Sequence, residues 1–371
     1  MKVYFLLNKY YPDLSASASL VRNLISQFGK HYSTNVVATV SKNFENSFVD
    51  EINVIRLNKS SNTKSYLKKK DKKLSQDILF QDSIQKFLLK EYDKYNTEIL
   101  LIPITFLELI ATINLKKNHP EKFRLCPFIL EYFPSSWSIS ETEELKEDMV
   151  KYVDYLFVLP KLKGYFYNKN VQVVEHPMIV NNTSTLQDKK EISLSYIGGV
   201  DRKNRNPINI LNIIFKLKNK LSPNYHFYFY GYGNLKILLL AYSRLLSNFT
   251  FGGVLNNDEA RRISTKSNFL ITIGNKNPNL VPSKIFDCIS TGRPIIHFRQ
   301  NEDDPYEFYL KKYPCYLILD LWNIDDKKLL NFITQNTKVE IDFNNIHQKY
   351  QEYTPQYIFE QFKERINTFE K

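Results

Sequence analysis

Short apolar runs rich in β-branched and aromatic residues alternate along the chain with longer segments that are compatible with helices. This alternation is typical of βαβ units and predicts parallel sheets. The first series of runs comprises Lys2–Leu7, Thr34–Val40, Ile52–Leu57, Glu98–Pro103, Leu125–Tyr132 and Tyr155–Pro160. The second comprises Ser193–Ile197, Tyr225–Tyr230, Phe249–Leu255, Phe269–Gly274, Pro294–Phe298 and Tyr316–Asp320. We therefore expect two doubly wound α/β halves.

A polar, aperiodic stretch, Asn181–Lys190, separates the two series and is typical of a linker. It predicts a first domain over residues 1–187 and a second over residues 188–353.

Near the end of the chain, Thr354 and Pro355 form an N-cap and first helical position. Apolar residues then follow at helical spacing: Ile358, Phe362, Ile366 and Phe369. This pattern predicts an amphipathic terminal helix, but not the domain against which it packs.

Composition supports a folded, two-domain protein. Its 371 residues exceed the usual size of a chain with one hydrophobic core. Hydrophobic residues make up 43% of the chain and charged residues 24%, which is typical of globular proteins. The longest apolar stretch, Ile99–Ile113, is too short to span a bilayer and contains Pro103 and Glu108. The N-terminus lacks a signal-peptide pattern, and the three cysteines have no metal-ligand spacing. We expect a cytoplasmic protein without a bound metal.

The net charge of +12 indicates a polyanionic partner, which composition alone does not identify. Nucleic acid is not expected, because recognition-helix, RNP-like and zinc-finger signatures are missing from the sequence. A lysine-rich segment, Lys64–Lys73, suits an anionic membrane surface or a lipid diphosphate, although a solvated charged loop is the more common explanation for such a run.

The segment Asn279–Phe298, NLVPSKIFDCISTGRPIIHF, predicts a loop, a helix of about ten residues, a turn and a strand. Its first turn carries unpaired backbone N–H groups together with Ser283 and Lys284, a combination suited to a phosphate. Asp287 lies one turn beyond Ser283, about 6 Å away on the same face, within reach of a ribose diol. Plain capping with a solvated charge remains the alternative.

Other glycine-rich and basic segments follow strands in the second half of the chain, where open α/β sheets bind ligands. Gly198 and Gly199 precede a loop that carries Arg202, Lys203 and Arg205, whose cations suit a diphosphate. A solvated basic loop is the alternative. The next strand ends in two further glycines, Gly231 and Gly233, which fit either a tight turn or the close approach of a ligand.

Candidate residues in the first half are fewer. Ser15, Ser17 and Ser19 precede a helix, where one of them caps it or small side chains leave room for a phosphate. Glu131 ends an apolar strand, and His176 precedes a proline, so each is a candidate acid–base or sugar-binding group. A solvated charge for Glu131 and a structural hydrogen bond for His176 are the alternatives.

The second half resembles the donor domain of bacterial family 4 type GT-B glycosyltransferases, particularly those that assemble capsular polysaccharides and exopolysaccharides. The order YIGG, RNP, YGYGN, FGGVLNNDEA and VPSKIF carries the resemblance over about 110 residues. The family's Glu-x7-Glu pattern corresponds here to Asn279 and Asp287, so one carboxylate is missing and the other is shortened. Its glycine–arginine pair corresponds to Gly198 and Gly199, which leaves Arg202 or Arg205 as the phosphate ligand.

The resemblance implies two Rossmann-like domains facing each other across a cleft, with the terminal helix, residues 354–371, returning to the first domain. It implies that Arg205, Ser283 and Lys284 hold a diphosphate, Asp287 a ribose, and the backbone near Leu280 and Val281 the sugar. Glu131 would line the acceptor side.

The implied activity is metal-independent, retaining transfer of a hexose from a nucleotide-sugar co-substrate, a UDP-sugar, to a lipid-linked saccharide. No further cofactor is expected. The chain would work peripherally on the inner face of the cell membrane, in cell-surface polysaccharide synthesis. The alternative is a catalytically silent paralogue that acts as a partner or stabiliser of an active transferase.

Overall fold

The computed structural model describes residues 1–11, 15–39, 47–57, 69–166, 170–186, 191–217, 220–221, 224–277 and 283–369. The strands are β1 (Lys2–Leu6), β2 (Ser33–Thr39), β3 (Ser47–Val49), β4 (Ile52–Leu57), β5 (Ile99–Pro103), β6 (Phe123–Leu125), β7 (Phe128–Ile129), β8 (Leu156–Val158), β9 (Val171–Val173), β10 (Ile192–Ile197), β11 (Tyr225–Tyr230), β12 (Phe249–Gly253), β13 (Phe269–Ile273), β14 (Ile295–Arg299) and β15 (Tyr316–Asp320). The α-helices are α1 (Ala16–Gly29), α2 (Lys69–Tyr95), α3 (Phe106–Asn118), α4 (Ile139–Tyr152), α5 (Ile208–Leu217), α6 (Lys236–Leu245), α7 (Asn257–Lys266), α8 (Lys284–Ser290), α9 (Pro305–Leu310), α10 (Asp326–Gln335), α11 (Phe343–Tyr350) and α12 (Pro355–Ile366).

The chain forms two compact units. Unit 1 comprises Met1–Met178 with Glu352–Lys371, and unit 2 comprises Ile179–Gln351. Each has its own apolar core: unit 1 has one cluster on each face of its larger sheet, and unit 2 has one large cluster against its sheet. The expected α/β class with two doubly wound halves is confirmed.

Unit 1 contains two sheets. The larger has the order β3-β4-β2-β1-β5-β6 and is parallel except for the antiparallel β3–β4 pair, and the smaller is a parallel β7-β8-β9 sheet. The sequence predicts one strand over Leu125–Tyr132, but the chain there divides between the two sheets. Pro127 lies at the division and has no N–H to donate to a ladder, whereas Cys126 donates to Leu101 at 2.9 Å. Strands β3 and β9 are absent from the prediction, because three residues give no readable period.

Unit 2 contains one fully parallel six-stranded sheet with the order β12-β11-β10-β13-β14-β15. This is the 3-2-1-4-5-6 order of dinucleotide-binding folds. Along the chain, β11 and β12 extend the sheet on one side of β10, and β13, β14 and β15 extend it on the other. The loops that leave β10 and β13 diverge and leave a crevice at their carboxyl ends.

The described residues of the predicted linker pack against unit 2. Residues 181–186 bind to unit 2: Asn182 donates to Ser290 at 3.2 Å, and the Ser184 hydroxyl donates to Thr265 at 2.9 Å. The Arg293 guanidinium also donates to the Ser184 carbonyl and, at 2.8 Å, to that of Thr265. These contacts explain why the units divide after residue 178, whereas the predicted boundary near 187 lies outside the described residues.

The C-terminal helix α12 packs on unit 1. Thr354 caps it, accepting from Tyr357 N–H at 3.2 Å, and Pro355 is its first residue, as predicted. The apolar stripe lies inward, and the Phe362 ring stacks on Phe157 at 3.6 Å between centroids. A second ring, Phe359, meets Phe28 edge to face at 4.9 Å. The return of the terminal helix to the first domain is therefore confirmed.

We expect Phe362→Ala to lower the free energy of unfolding by about 3–5 kcal/mol, because it leaves a cavity in a core that closes only when α12 docks. Phe308→Ala is the matched control: its ring is 61% exposed, and the change should stay within about 0.5 kcal/mol. Denaturant unfolding of the intact chain measures both. Equal effects of the two substitutions would show that α12 does not contribute its buried face to the stability of unit 1.

Candidate functional site

The carboxyl ends of β10 and β11 are joined by backbone contacts that require glycine. Gly198 N–H donates to Tyr230 at 2.9 Å, and Val200 N–H donates to Tyr232 at 2.9 Å. Gly231 has φ of +153° and Gly233 φ of +146°, and a Cβ on Gly233 would lie 1.6 Å from the Val200 carbonyl oxygen. The G-Y-G sequence therefore serves the close approach of two protein loops, one of the functions open to such a pair.

The loop after β10 separates its three cations. Asp201 accepts at Oδ1 from the backbone N–H groups of Lys203, at 2.9 Å, and Asn204, at 2.7 Å, and its own N–H donates to the Arg205 carbonyl. This tight turn leaves Arg202 and Lys203 exposed on its outer side. Arg205 is only partly exposed, since its side chain turns back toward the sheet. Of the three predicted phosphate ligands, Arg205 alone is thus held by the fold.

A hydrogen bond from Arg205 crosses the β10–β13 divergence. Its Nε donates to Asn275 Oδ1 at 2.7 Å, and Asn275 follows β13 directly after Gly274. The Tyr196 phenol lies close by; burial raises its pKa, and the Arg205 charge opposes that rise. Within the described parts of the chain, no carboxylate lies within 4.0 Å of the Arg205 guanidinium. The crevice therefore contains a fixed cation that forms no ion pair with a carboxylate of the described residues.

Side chains that follow β14 fix the neighbouring loops. The Asn301 amide donates to the Asn275 carbonyl at 2.8 Å, and the Gln300 amide donates to Gly274 at 2.6 Å and also to Asn204. The loops after β10, β13 and β14 are thus tied together by amide groups. Asn275, Gln300 and Asn301 were not predicted from the sequence, because their position after apolar strands is one that many ordinary turn residues share.

A buried polar chain lies below this edge. His297 contacts Thr272 Oγ1 at 2.9 Å through Nδ1 and Asp304 Oδ2 at 3.2 Å through Nε2, and all solvent is excluded from the His297 and Asp304 side chains. Asp304 also caps α9, accepting from Tyr306 N–H at 3.0 Å. Because the three residues are buried, with the His297 and Asp304 side chains fully so, this chain is assigned to fixing the strand ends.

The predicted donor helix is present as α8. Ile285 and Ile289 are buried as expected, and Gly292, with φ of +72°, ends the helix before β14. Ser283 has helical dihedral angles and makes no capping hydrogen bond, so the capping alternative for its hydroxyl is wrong. The preceding residues Asn279, Leu280 and Val281, which were expected near the sugar, lie outside the described residues.

The exposed face of α8 carries opposite charges. Lys284 and Asp287 both reach solvent. Desolvation nevertheless raises the pKa of the Asp287 carboxyl group, and Lys284 and then Arg261 oppose the rise. Because Asp287 retains solvent contact, the desolvation is incomplete. Arg261, on α7, is therefore a second cation near Asp287, beside Lys284, and was not predicted from the sequence.

The candidate residues at the first helix of unit 1 take part in local hydrogen bonds and ion pairs. Ser15 caps α1, accepting from Ala18 N–H at 2.9 Å, and Arg22 forms a bidentate pair with Asp50 at 2.5 and 2.8 Å. Both groups are thus engaged in local structure. The lysine-rich segment Lys64–Lys73 falls among residues whose side chains the structure does not describe.

Titratable groups follow all three strands of the small sheet: Glu131 after β7, Lys161 after β8, and Glu175 and His176 after β9. His176 Nδ1 lies 3.6 Å from Glu175 Oε2. Desolvation lowers the pKa of Lys161, and the Glu131 charge opposes this decrease. Desolvation also lowers the pKa of His176. Glu175 opposes that decrease, whereas the Lys161 charge adds to it. Because Glu131 is exposed while His176 is buried, Glu131 is the better placed of the two to meet a ligand.

The His176 environment predicts a pH-dependent stability. Its folded pKa is below the ordinary 6.5, so the unfolded chain binds more protons once the pH falls below about 6.5. The free energy of unfolding should then fall on acidification, by at most about 1.4 kcal/mol per pH unit, until the folded pKa is reached. Unfolding curves at several pH values should show a smaller decrease for His176→Gln, and an unchanged one for the exposed control His347→Gln. Parallel curves for the wild type and His176→Gln would contradict this.

Among the residues that the structure covers, no group of three or more His, Cys, Asp or Glu side chains is arranged to hold a metal ion. In the same residues, no helix combines the length and apolar character needed to cross a membrane.

Comparison with known proteins identifies the fold. No protein-family model and no curated protein sequence matches the chain. Among solved structures, it is similar to sucrose-phosphate synthase from Thermosynechococcus elongatus, with a TM-score of 0.67, 12% identity and coverage of 99% of this chain and 98% of that one. It is also similar to the lipopolysaccharide outer core galactosyltransferase WaaB, with a TM-score of 0.58, 12% identity and 99% coverage of both chains.

The Anabaena protein HepE, solved in complex with UDP and glucose, has a TM-score of 0.61 and 10% identity, and 99% of each chain is covered. At such identities, the similarity establishes architecture and not activity. The match extends over nearly the whole chain in all three structures, so both units are included. The chain therefore has the GT-B fold that is found in glycosyltransferases.

Proposed function

We propose that this protein is a glycosyltransferase that moves a hexose from a UDP-sugar to a lipid-linked saccharide during cell-surface polysaccharide synthesis. The observation that carries the proposal is the Arg205 cation, fixed by Asn275 in the crevice where this fold binds nucleotides. Support also comes from the fold shared with HepE, solved with UDP, and with WaaB, named as a lipopolysaccharide galactosyltransferase.

The proposed chemistry is stabilisation of a leaving group. The bond between the anomeric carbon and the terminal phosphate oxygen breaks, the acceptor oxygen bonds to that carbon, and the acceptor proton passes to the departing phosphate. We propose retention of configuration, with attack on the face from which the diphosphate leaves. Negative charge grows on the phosphate as the bond breaks, and fixed cations that meet it there lower the barrier.

Each candidate residue is assigned to one part of the substrates. Arg205 and Lys284, with Ser283, are proposed to bind the diphosphate, and Asp287 to bind the ribose hydroxyls. Arg202 is exposed on the outer side of the loop that carries Arg205 and is proposed as an outer cation, and Gly198, Gly199, Gly231 and Gly233 are proposed to shape the wall of the crevice. Glu131 in unit 1 is proposed to bind the acceptor. We propose that protein cations take the part that a divalent ion plays elsewhere, and that the protein works peripherally on the inner face of the cell membrane.

A second candidate is a catalytically silent paralogue that supports an active transferase. The observation that favours it is Asn279, which stands where the resembled family carries the first glutamate of its donor pattern. Such a protein would have the fold without turnover.

The first test measures nucleoside diphosphate release and acceptor mass from a panel of sugar nucleotides with lipid-linked acceptor extract, in the presence of EDTA. Acceptor-dependent release should fall at least tenfold in Lys284→Ala and in Asp287→Ala, since tenfold corresponds to about 1.4 kcal/mol of transition-state stabilisation. Lys327→Ala, an exposed lysine on α10, is the control and should be unaffected. Folded protein that releases no diphosphate from any donor would favour the silent paralogue.

The second test concerns the charge of Arg205. Asn275→Asp keeps an acceptor oxygen for Arg205 Nε but places a carboxylate beside the guanidinium. Affinity for UDP, measured by calorimetry, should fall at least tenfold, because a bond between charged groups is worth about 1.5–3 kcal/mol. Asn301→Asp, one loop away, is the comparison and should weaken UDP binding less. Unchanged affinity in Asn275→Asp would remove Arg205 from the diphosphate site.

A further inference from the structure

Helix α6 of unit 2 is apolar on two opposite faces. Leu239 is fully buried, and Leu235 and Leu246 at its two ends are also buried in the core of unit 2. On the other side, Ile237 is 83% exposed and Leu245 72% exposed, with Leu240 also exposed between them. Positions 237, 240, 241, 244 and 245 share one face of a helix. A helix that needed only to cover its own sheet would carry polar residues there.

Charge on and around this face has a single sign. Arg244 lies among the exposed apolar residues of α6, and Lys236 begins the helix; both are exposed. The whole segment from residue 202 to residue 257 contains eight lysines and arginines and not one aspartate or glutamate. Lys220 pairs with Asp326 of α10 at 3.2 Å, but Lys236 and Arg244 form no ion pair with a described carboxylate, so the surface of α6 attracts polyanions.

Neighbouring elements extend the same character. The Tyr242 hydroxyl donates to Asn212 Oδ1 at 3.0 Å and joins α6 to α5, where Phe215 is also exposed. At the other end, Arg202 N–H donates to Asn234 Oδ1 at 3.1 Å, which joins the basic loop after β10 to the start of α6. Of the sixteen large apolar side chains that are exposed in the described residues, six lie within residues 202–257.

We propose that the exposed face of α6, formed by Ile237, Leu240, Arg244 and Leu245 with Lys236 at its edge, docks on an anionic lipid bilayer. Apolar side chains on one helix face, flanked by basic residues, bind in the plane of the membrane interface, where the long basic stems reach the headgroups. Basic residues near an anionic surface add attraction that falls with salt.

A second copy of the chain fits this face less well. A twofold interface would place the same patch on both sides, so that Arg244 and Lys236 would meet their own like charges without a carboxylate to pair them. A bilayer that contains anionic lipid supplies the missing negative charge.

Under the proposed function, this surface would bring the basic loop and Arg205 close to a lipid-linked acceptor. The use of the surface rests on that function, whereas the membrane contact itself does not. Its test needs no turnover. The intact protein is sedimented with vesicles of phosphatidylcholine alone and with vesicles of phosphatidylcholine and phosphatidylglycerol in equal amounts. We expect binding to the anionic vesicles only, weakening as salt is added.

Two variants and one matched control define the surface. Ile237→Ser with Leu245→Ser should weaken vesicle binding by about tenfold or more, and Arg244→Glu by a similar factor. Ile139→Ser, in α4 of unit 1, removes an isoleucine of the same 83% exposure and should bind as the wild type does. Because all four side chains are exposed, unfolding midpoints should be unchanged, which separates lost docking from lost folding.

Equal binding by the wild type and the α6 variants would overturn the proposal. A concentration-dependent wild-type dimer that Ile237→Ser converts to monomer, without vesicle binding, would overturn it in favour of self-association. Vesicle binding without diphosphate release from any donor would refute the proposed function and leave the surface intact. Diphosphate release by a protein that does not bind vesicles would refute the docking surface and leave the proposed function intact.

Discussion

The divergence of the chain between β10 and β13 is the constraint on which the candidate site of unit 2 depends. A parallel sheet grown outward in both directions from one strand must send its first loops apart, and the space between them has backbone N–H groups and strand ends on its walls. Here the loops are not free to close it. The amides of Gln300 and Asn301 bind the loops after β10 and β13 from the next strand, and Arg205 reaches across to Asn275.

Preorganisation of this kind matters more for charge than for shape. An arginine on a solvated loop would lose side-chain entropy each time it met an anion, whereas Arg205 is already oriented by its hydrogen bond to Asn275 and lies close to the Tyr196 phenol. Arg202 and Lys203, three and two residues earlier, lack that support and face solvent. The same short loop thus supplies both a fixed charge in the crevice and a diffuse positive surface outside it. That outer surface continues into α6, where exposed apolar residues join the basic ones.

Unit 1 offers a different chemistry. Its small sheet places two carboxylates, a lysine and a histidine at the ends of three adjacent strands, where burial disfavours the charged forms of the two bases. Such groups hydrogen-bond to hydroxyls rather than to phosphates, which is consistent with an acceptor role for Glu131. His176 is buried, in keeping with the structural alternative that its place before a proline offered.

The sequence by itself determined the fold class, most strand positions, the capped terminal helix and the helix that begins near Lys284, because all of these follow from local period and capping chemistry. It also determined the charge, including an acid-free segment around α6. Only the tertiary structure decided which of three neighbouring cations is fixed in the crevice, since that depends on Asn275, seventy residues away. Likewise, the glycines of G-Y-G were open to two explanations until the Val200 carbonyl was seen to occupy the space that a side chain would need. Local patterns report what a segment prefers, whereas long-range contacts decide which of its side chains remain available for a ligand.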